Sequence, residues 1–257
     1  MSLVPDDVVW NLPGAGPGHR TSLLVLPHAG GSAHAYMQWR AALAPDVRLL
    51  VGQYPGRGAR FTEPLPASLD DLVGPIVAGL PADTHDLVVL GHSMGSLVAF
   101  EVARALAAAG QPARAFVASA CRAPFLPNPS PVHPARLDDD ELVAVVKSRG
   151  GTDDGILDEP ELREIVLPSI RADFAIDDDY RHAGDGPMLH CPVTAIGGAA
   201  DPVVPFAALR RWVEVTDGPT AVEVLPGGHF YFQNQLETFM SIVSRVIDGA
   251  LARPGLG

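Results

Sequence analysis

Six short apolar runs recur along the chain without the alternation of apolar and polar residues that marks a half-exposed strand. Unalternating runs of this length are typical of strands buried on both faces of a parallel sheet. We therefore predict six strands, at residues 22–26, 47–51, 87–90, 115–118, 193–196 and 221–225.

Stretches with helical periodicity separate these runs. The clearest is residues 96–109, where Leu97, Phe100, Ala103 and Leu106 recur on one helical face and Gly110 follows as a C-terminal stop. Alternation of strands and helices predicts an α/β fold, a mostly parallel central sheet flanked by helices and joined by right-handed crossovers.

Residues 123–188 interrupt this alternation. They contain proline-rich turns and helical patterns at 138–148 and 159–173, but no convincing strand. We interpret them as a helical insertion over the sheet, within one domain that spans residues 1–257.

Two runs of three aspartates fall inside the insertion, at residues 138–140 and 177–179. Either run could hold a metal ion, but acids that open an apolar-periodic segment more often lie at a helix N-terminus. The second run also lacks the spacing and the glycine of an EF-hand loop. We therefore predict no metal site.

Composition narrows the function classes. The 257 residues are 47% apolar and carry a net charge of −12, which disfavours binding to nucleic acid or to an anionic membrane. Cys121 and Cys191 have no disulfide-framework or zinc spacing, so we expect reduced thiols in a cytoplasmic protein. Residues 1–7 lack a basic segment, and no apolar run reaches the ~18 residues of a membrane span.

The sequence GHSMG at residues 91–95 lies directly between a predicted strand and a predicted helix. This context is that of a nucleophile elbow, in which a serine sits on a strained turn and the flanking glycines avoid collisions with the backbone. Ser93 is therefore the candidate nucleophile. The alternative is a glycine-rich turn with a capping serine, and only in that case would the two thiols be candidate nucleophiles.

A serine nucleophile needs a base and an acid, and both follow later strands. Asp201 comes after the strand at 193–196, and His229 comes after the strand at 221–225. The chain order serine, acid, histidine is that of the α/β-hydrolase fold. Asp201 could instead cap a helix with Pro202 at its first position, and His229 could be a structural histidine. We interpret His28 and His92 as scaffold residues.

Acyl transfer also needs donors for the developing oxyanion. The backbone amide of Met94, next to the nucleophile, is one candidate. The other is the amide of Ala29, in the loop after the first predicted strand. The two glycines that follow Ala29 could equally start a helix.

Four segments together resemble the type II thioesterases that accompany polyketide synthases and nonribosomal peptide synthetases. They are PHAGGS at 27–32, YPGRGAR at 54–60 followed by Glu63 and Pro64, GHSMG at 91–95, and GHFYF at 228–232. The first two distinguish this family from general lipases, which share only the elbow.

The resemblance implies an editing hydrolase that removes stalled or incorrect acyl groups from the phosphopantetheine arm of an acyl or peptidyl carrier protein. It also implies a mobile helical lid, which the insertion at 123–188 matches in position. It implies a monomer that docks transiently, with no metal and no cofactor apart from the pantetheine of the substrate. Arg57 and Arg60 fall in a family motif that we interpret as a structural turn held by arginine hydrogen bonds.

Carrier proteins are usually acidic, so the negative charge of this chain opposes docking unless basic side chains gather locally. The candidates near the insertion are Arg122, Arg136, Arg149 and Arg181.

Three other functions share these motifs. A small-molecule carboxylesterase has the same fold and triad, and a terminal cyclase or acyltransferase replaces water by another nucleophile. A non-catalytic carrier-binding protein would usually have lost a triad residue.

Overall fold

The computed structural model describes residues 8–15, 18–128, 132–152, 154–184 and 188–252. The interpretation of residues 1–7 concerns residues outside this part of the chain. Residues 129–131, 153 and 185–187 of the insertion also lie outside it.

Within these residues, seven strands form one sheet in the order β1-β3-β2-β4-β5-β6-β7. All neighbouring pairs are parallel except β1 with β3. The strands are β1 (Val9–Asn11), β2 (Thr21–Leu26), β3 (Val47–Gly52), β4 (Leu87–His92), β5 (Ala115–Ser119), β6 (Val193–Gly198) and β7 (Thr220–Leu225). The six predicted strands are confirmed, and β1 is an additional antiparallel edge strand.

In the described part of the chain, eight α-helices accompany the sheet, with short 3-10 turns between some of them. They are α1 (Trp39–Ala42), α2 (Asp70–Ala78), α3 (Met94–Ala108), α4 (Asp139–Arg149), α5 (Asp154–Asp158), α6 (Pro160–Asp179), α7 (Phe206–Leu209) and α8 (Leu236–Leu251). Gly110 ends α3 with a φ of 76°, and the amide of Gln111 donates to Leu106 O at 2.9 Å in a Schellman motif. None of the described helices is both long and apolar enough to cross a bilayer.

The central strands are buried on both faces. In β2, Leu24 and Leu26 pack into a cluster with α2 and α3, whereas Leu23 and Val25 pack on the other face with α1 and α8. Burial on both faces explains why these strands appear in the sequence as apolar runs without alternation. The α/β fold predicted from the sequence is confirmed.

Strand β7 departs from the prediction of a strand buried on both faces. Thr220, Ala221 and Val224 are exposed, and only Leu225 is buried. The reason is its position, because β7 is the outermost strand and pairs with β6 alone.

Helices α4, α5 and α6 lie between β5 and β6 in the chain and share a small apolar cluster of their own. Asp138 caps α4 in a capping box with Glu141, as the N-terminal interpretation of residues 138–140 predicts. The same interpretation is wrong for residues 177–179, which end α6 instead of starting a helix. There Asp177 pairs with Arg122 at 2.7 Å across the fold.

Candidate active site

The elbow is built by close contacts that exclude side chains around Ser93. Ser93 joins β4 to α3 with a φ of 55°, a left-handed conformation that is strained for a non-glycine residue. A Cβ at Gly91 would lie 2.1 Å from Gly95 O, and a Cβ at Gly95 would lie 2.1 Å from Leu26 O. The two glycines therefore let β4, α3 and β2 approach closely enough to present Ser93 at the carboxyl edge of the sheet.

Ser93, His229 and Asp201 form a hydrogen-bonded relay. His229 Nε2 lies 2.8 Å from Ser93 Oγ, and His229 Nδ1 lies 2.9 Å from Asp201 Oδ2. The side chains of His229 and Asp201 are 2% and 1% exposed. The serine can therefore pass its proton to an imidazole whose other nitrogen faces a carboxylate shielded from water.

The loops after β6 and β7 bring the acid and the histidine together. The amide of Ala200 donates to Gly227 O at 2.8 Å, which continues the pairing of the two strands past their ends. A Cβ at Gly198 would lie 2.2 Å from Gly228 O, so glycine permits this approach.

Asp201 also shapes its own loop. Its Oδ1 accepts the amides of Val203 and Val204 at 2.8 and 3.2 Å. No helix starts at Pro202, and α7 begins only at Phe206. The side chain thus orders a turn with one oxygen and contacts His229 with the other. The N-cap alternative is therefore wrong about a helix that starts at Pro202. It is right that the side chain accepts backbone amides of the residues that follow.

The two predicted oxyanion donors lie beside the nucleophile. Met94 is the first residue of α3, where backbone amides have no partner within the helix. Ala29 lies in a turn in which the amide of Gly31 donates to His28 O at 2.9 Å and Gly30 has a φ of 76°. This is a type II turn. A short 3-10 helix, Ala33–Tyr36, begins two residues after it, so the turn also leads into a helical segment, as the alternative for the glycines predicts.

A narrow cavity of about 20 Å³ adjoins Ser93 and His229. Ala29 and Phe230 line it, together with Val146 of α4 and Phe174 of α6 from the insertion. A volume of this size admits roughly one water molecule. The insertion therefore covers the candidate nucleophile closely in this conformation.

Two buried histidines, His28 and His92, lie next to the site and are neutral. Burial, together with the nearby His229 and Arg57, lowers the pKa of His28 to about 3, although a bond to the Gly151 carbonyl acts in the opposite direction. Burial first, and then the neighbouring histidines, hold the pKa of His92 well below its usual value. His28 and His92 both contact the ring of Phe230, which also contacts His229. They pack around the base, consistent with scaffold residues.

Arg60 matches its predicted role in a structural turn. It donates to Gln53 O at 2.7 Å and pairs with Glu63. Arg57 does more, because its guanidinium reaches Asp173 of α6, a buried carboxylate that the sequence analysis did not single out. The two residues are 116 positions apart, and no local pattern signals the pair.

The four arginines considered for carrier docking do not share one surface role. Arg122 is 4% exposed and pairs with Asp177, so the expectation that it meets a partner is wrong. Arg149 lies over the Phe174 ring at 4.9 Å and lines the cavity beside Ser93. Arg136 and Arg181 are exposed.

Both thiols are free and buried. Burial raises the pKa of Cys191 to about 12 and raises that of Cys121 further. Neither therefore has the thiolate character of a nucleophile. Among the residues that the structure describes, no three His, Cys, Asp or Glu side chains are grouped as metal ligands.

Comparison with known proteins identifies the family. The model of the thioesterase domain family matches residues 21–247. The chain therefore belongs to the thioesterase family.

Individual relatives show which members of the family this chain is similar to. The thioesterase PikA5 of Streptomyces venezuelae is 36% identical over 231 residues, which cover 89% of this chain and 81% of that protein. The type II thioesterase BorB from the borrelidin biosynthetic cluster superposes with a TM-score of 0.84 at 35% identity, covering 94% of this chain and 98% of that one.

A third relative is YbtT, a type II thioesterase from the yersiniabactin NRPS/PKS pathway. It superposes with a TM-score of 0.83 at 30% identity and covers 95% of this chain and 99% of its own. The predicted resemblance to type II thioesterases and the predicted fold are confirmed.

Proposed function

We propose that this protein is an editing thioesterase that hydrolyses acyl groups from the phosphopantetheine arm of acyl or peptidyl carrier proteins. The observation that carries the proposal is the relay Ser93, His229 and Asp201, with contacts of 2.8 and 2.9 Å, in a chain of the thioesterase family. The type II thioesterases BorB and YbtT, from biosynthetic pathways of this kind, support the choice of substrate.

In the acylation step, His229 Nε2 takes the proton of Ser93 Oγ as that oxygen attacks the thioester carbonyl. The amides of Met94 and Ala29 donate to the oxyanion of the tetrahedral intermediate. Asp201 keeps the imidazole in the correct tautomer and stabilises the imidazolium. The intermediate collapses to an acyl-serine ester, and the pantetheine sulfur leaves with the proton from His229.

Deacylation repeats these roles with water as the nucleophile. His229 removes a proton from water, the hydroxide attacks the ester carbonyl, and the acid product leaves as Ser93 regains its proton. In this scheme the pantetheine arrives with the substrate, and the protein supplies no metal or bound cofactor. The enzyme acts as a monomer that meets its carrier transiently in the cytoplasm.

The principal competing function is a carboxylesterase acting on free small esters, which would use the same relay. Presenting one acyl group on a holo carrier protein, on free pantetheine and as an activated oxoester separates the two. Ser93→Ala measures the background, and Ser241→Ala on the exposed face of α8 is the matched control.

We expect the highest kcat/KM for the carrier-bound thioester, loss of activity in Ser93→Ala by a factor of order 10⁶, and no change in Ser241→Ala. Equal or faster turnover of the free oxoester would identify an esterase instead. Activity that survives in folded Ser93→Ala would contradict the relay itself.

A further inference from the structure

The carboxylate of Asp173 is enclosed between two parts of the chain that are distant in sequence. Asp173 lies on α6 of the insertion and is 0% exposed, and Arg57, in the loop after β3, is 6% exposed. Arg57 donates through Nη1 to Oδ2 and through Nη2 to Oδ1, the latter at 2.8 Å. A bidentate pair of this kind fixes the orientation of the carboxylate plane.

The same carboxylate also holds the turn that carries Ala29. Asp173 Oδ2 accepts the amide of Gly30 at 2.7 Å. Ile170, one helical turn earlier on α6, packs against the turn so closely that a Cβ at Gly30 would lie 2.6 Å from its Cγ1. A charge-assisted bond and a close apolar contact therefore hold this turn against α6.

The geometry of the turn relates this contact to the reaction. The His28 carbonyl accepts the amide of Gly31, so it faces into the turn. In a trans peptide the N–H points opposite to the C=O, so the amide of Ala29 faces out of the turn. Ala29 lines the cavity that also holds Ser93 and His229, where an oxyanion would form.

We infer that Asp173, oriented by Arg57, is a positioning residue that holds the Ala29 amide in place for the oxyanion. The inference rests on the proposed acyl-transfer function and adds a group from α6 to it. Asp173 does not contact the substrate in this account, and it acts only through the amide of Gly30 and the turn.

A purely structural role would be to tether α6 to the rest of the fold. The chain offers a control, because Arg122 and Asp177 form a second ion pair between α6 and the segment after β5, at 2.7 Å, with side chains 4% and 16% exposed. That pair tethers the same helix but makes no bond to the turn of Ala29.

The test compares Arg57→Met/Asp173→Leu with Arg122→Met/Asp177→Leu. Replacing both members of a buried pair by apolar residues commonly preserves folding, which thermal unfolding would verify. The readouts are kcat and KM for a carrier-bound thioester and for p-nitrophenyl acetate, and the affinity for a boronic acid. The boronate forms a tetrahedral adduct with a serine and mimics the transition state without turnover.

For the Arg57/Asp173 variant we expect kcat to fall by at least about tenfold, with KM nearly unchanged. The upper limit of the fall is the factor of about 10²–10³ that complete loss of an oxyanion donor causes. Boronate affinity should fall by a similar factor. The Arg122/Asp177 variant should retain its kcat and its boronate affinity. Equal losses in both variants, or no loss in either, would overturn the inference.

Asp173→Asn provides a second variant if the double substitution does not fold. In either orientation of the amide its NH₂ group faces an Arg57 N–H that the carboxylate accepts, so the fork that orients residue 173 is broken. The same split between kcat and KM is expected, and an unchanged kcat would contradict the inference. Failure of the proposed function is distinguishable, because it would appear as oxoester hydrolysis by the unmodified protein without carrier thioesterase activity.

Discussion

Asp201 contacts His229 through only one of its two carboxylate oxygens. Oδ2 lies 2.9 Å from His229 Nδ1, whereas Oδ1 accepts the amides of Val203 and Val204. The backbone bonds therefore fix the rotation of the carboxylate and aim Oδ2 at the imidazole. One side chain thus orders its loop and, in the proposed reaction, holds the general base.

Asp201→Asn should separate these two roles. The amide oxygen can still accept the amides of Val203 and Val204, but the NH₂ group facing His229 Nδ1 would favour the wrong imidazole tautomer. By analogy with the corresponding substitution in serine proteases, kcat should fall about 10⁴-fold while the fold persists. Kinetics with circular dichroism would check this. Near-normal kcat in Asp201→Asn would assign Asp201 to the turn alone.

Gly91→Ala should disrupt the elbow, because the added Cβ would lie 2.1 Å from Gly95 O. The backbone must shift, and we expect a loss of stability of several kcal/mol together with loss of acyl transfer. Gly249→Ala is the control, since a Cβ at this position of α8 meets nothing within 4 Å. It should be neutral or stabilise by up to about 1 kcal/mol. Urea unfolding of both variants measures the contrast.

Stability should fall as the solution is acidified below about pH 6.5, in part because of His28 and His92. Their pKa values are lowered in the fold, His28 to about 3, so below 6.5 the unfolded chain binds protons that the folded chain does not. Each such proton contributes a slope of about 1.4 kcal/mol per pH unit.

Urea unfolding between about pH 6 and 4 tests this dependence. His92→Gln should reduce the slope by up to about 1.4 kcal/mol per pH unit, the contribution of one proton. If the free energy of unfolding changed with pH equally steeply in His92→Gln and in the unmodified protein, the prediction would be contradicted.

Val146→Ala should broaden the range of acyl groups accepted. Val146 is buried on α4 and lines the cavity of about 20 Å³ beside Ser93, so a smaller side chain leaves more room there. We expect kcat/KM for longer acyl groups to rise relative to acetyl, at a cost of about 1–3 kcal/mol in stability. Val143→Ala removes the same atoms from a residue of the same apolar cluster that does not line the cavity. If both variants showed the same shift in acyl preference, the cause would be a general loosening of the insertion, and the prediction for Val146 would be wrong.

The sequence predicted the parts of the fold that depend on local pattern. Burial on both faces produces an unalternating apolar run such as β2, which can be recognised in the sequence. The elbow needs glycine at positions 91 and 95 for steric reasons, so its motif can be recognised as well. Asp201 and His229 could be predicted because each follows a predicted strand, and the carboxyl ends of parallel strands meet at one edge of the sheet.

Features that depend on distant or weak signals were missed or misread. Strand β1 has three residues, too few to show a pattern, and α5 was not predicted. The acids at residues 177–179 look like a helix start, but the fold places Arg122 opposite Asp177 and α6 continues into the run. Likewise Arg57 and Asp173 are 116 positions apart, so only the tertiary fold shows that they form a pair.

The bond between Asp173 and Gly30 also bears on how such enzymes can diversify. Residue 173 belongs to the insertion at 123–188, whereas Gly30 and Arg57 belong to the sheet-bearing part of the chain. Grafting the insertion of a relative onto this scaffold would separate the carboxylate from its two partners unless the donor segment carries an acid at the equivalent place. If Asp173 positions the Ala29 amide as inferred above, exchange of this insertion between relatives is constrained by that contact as well as by the shape of the acyl group.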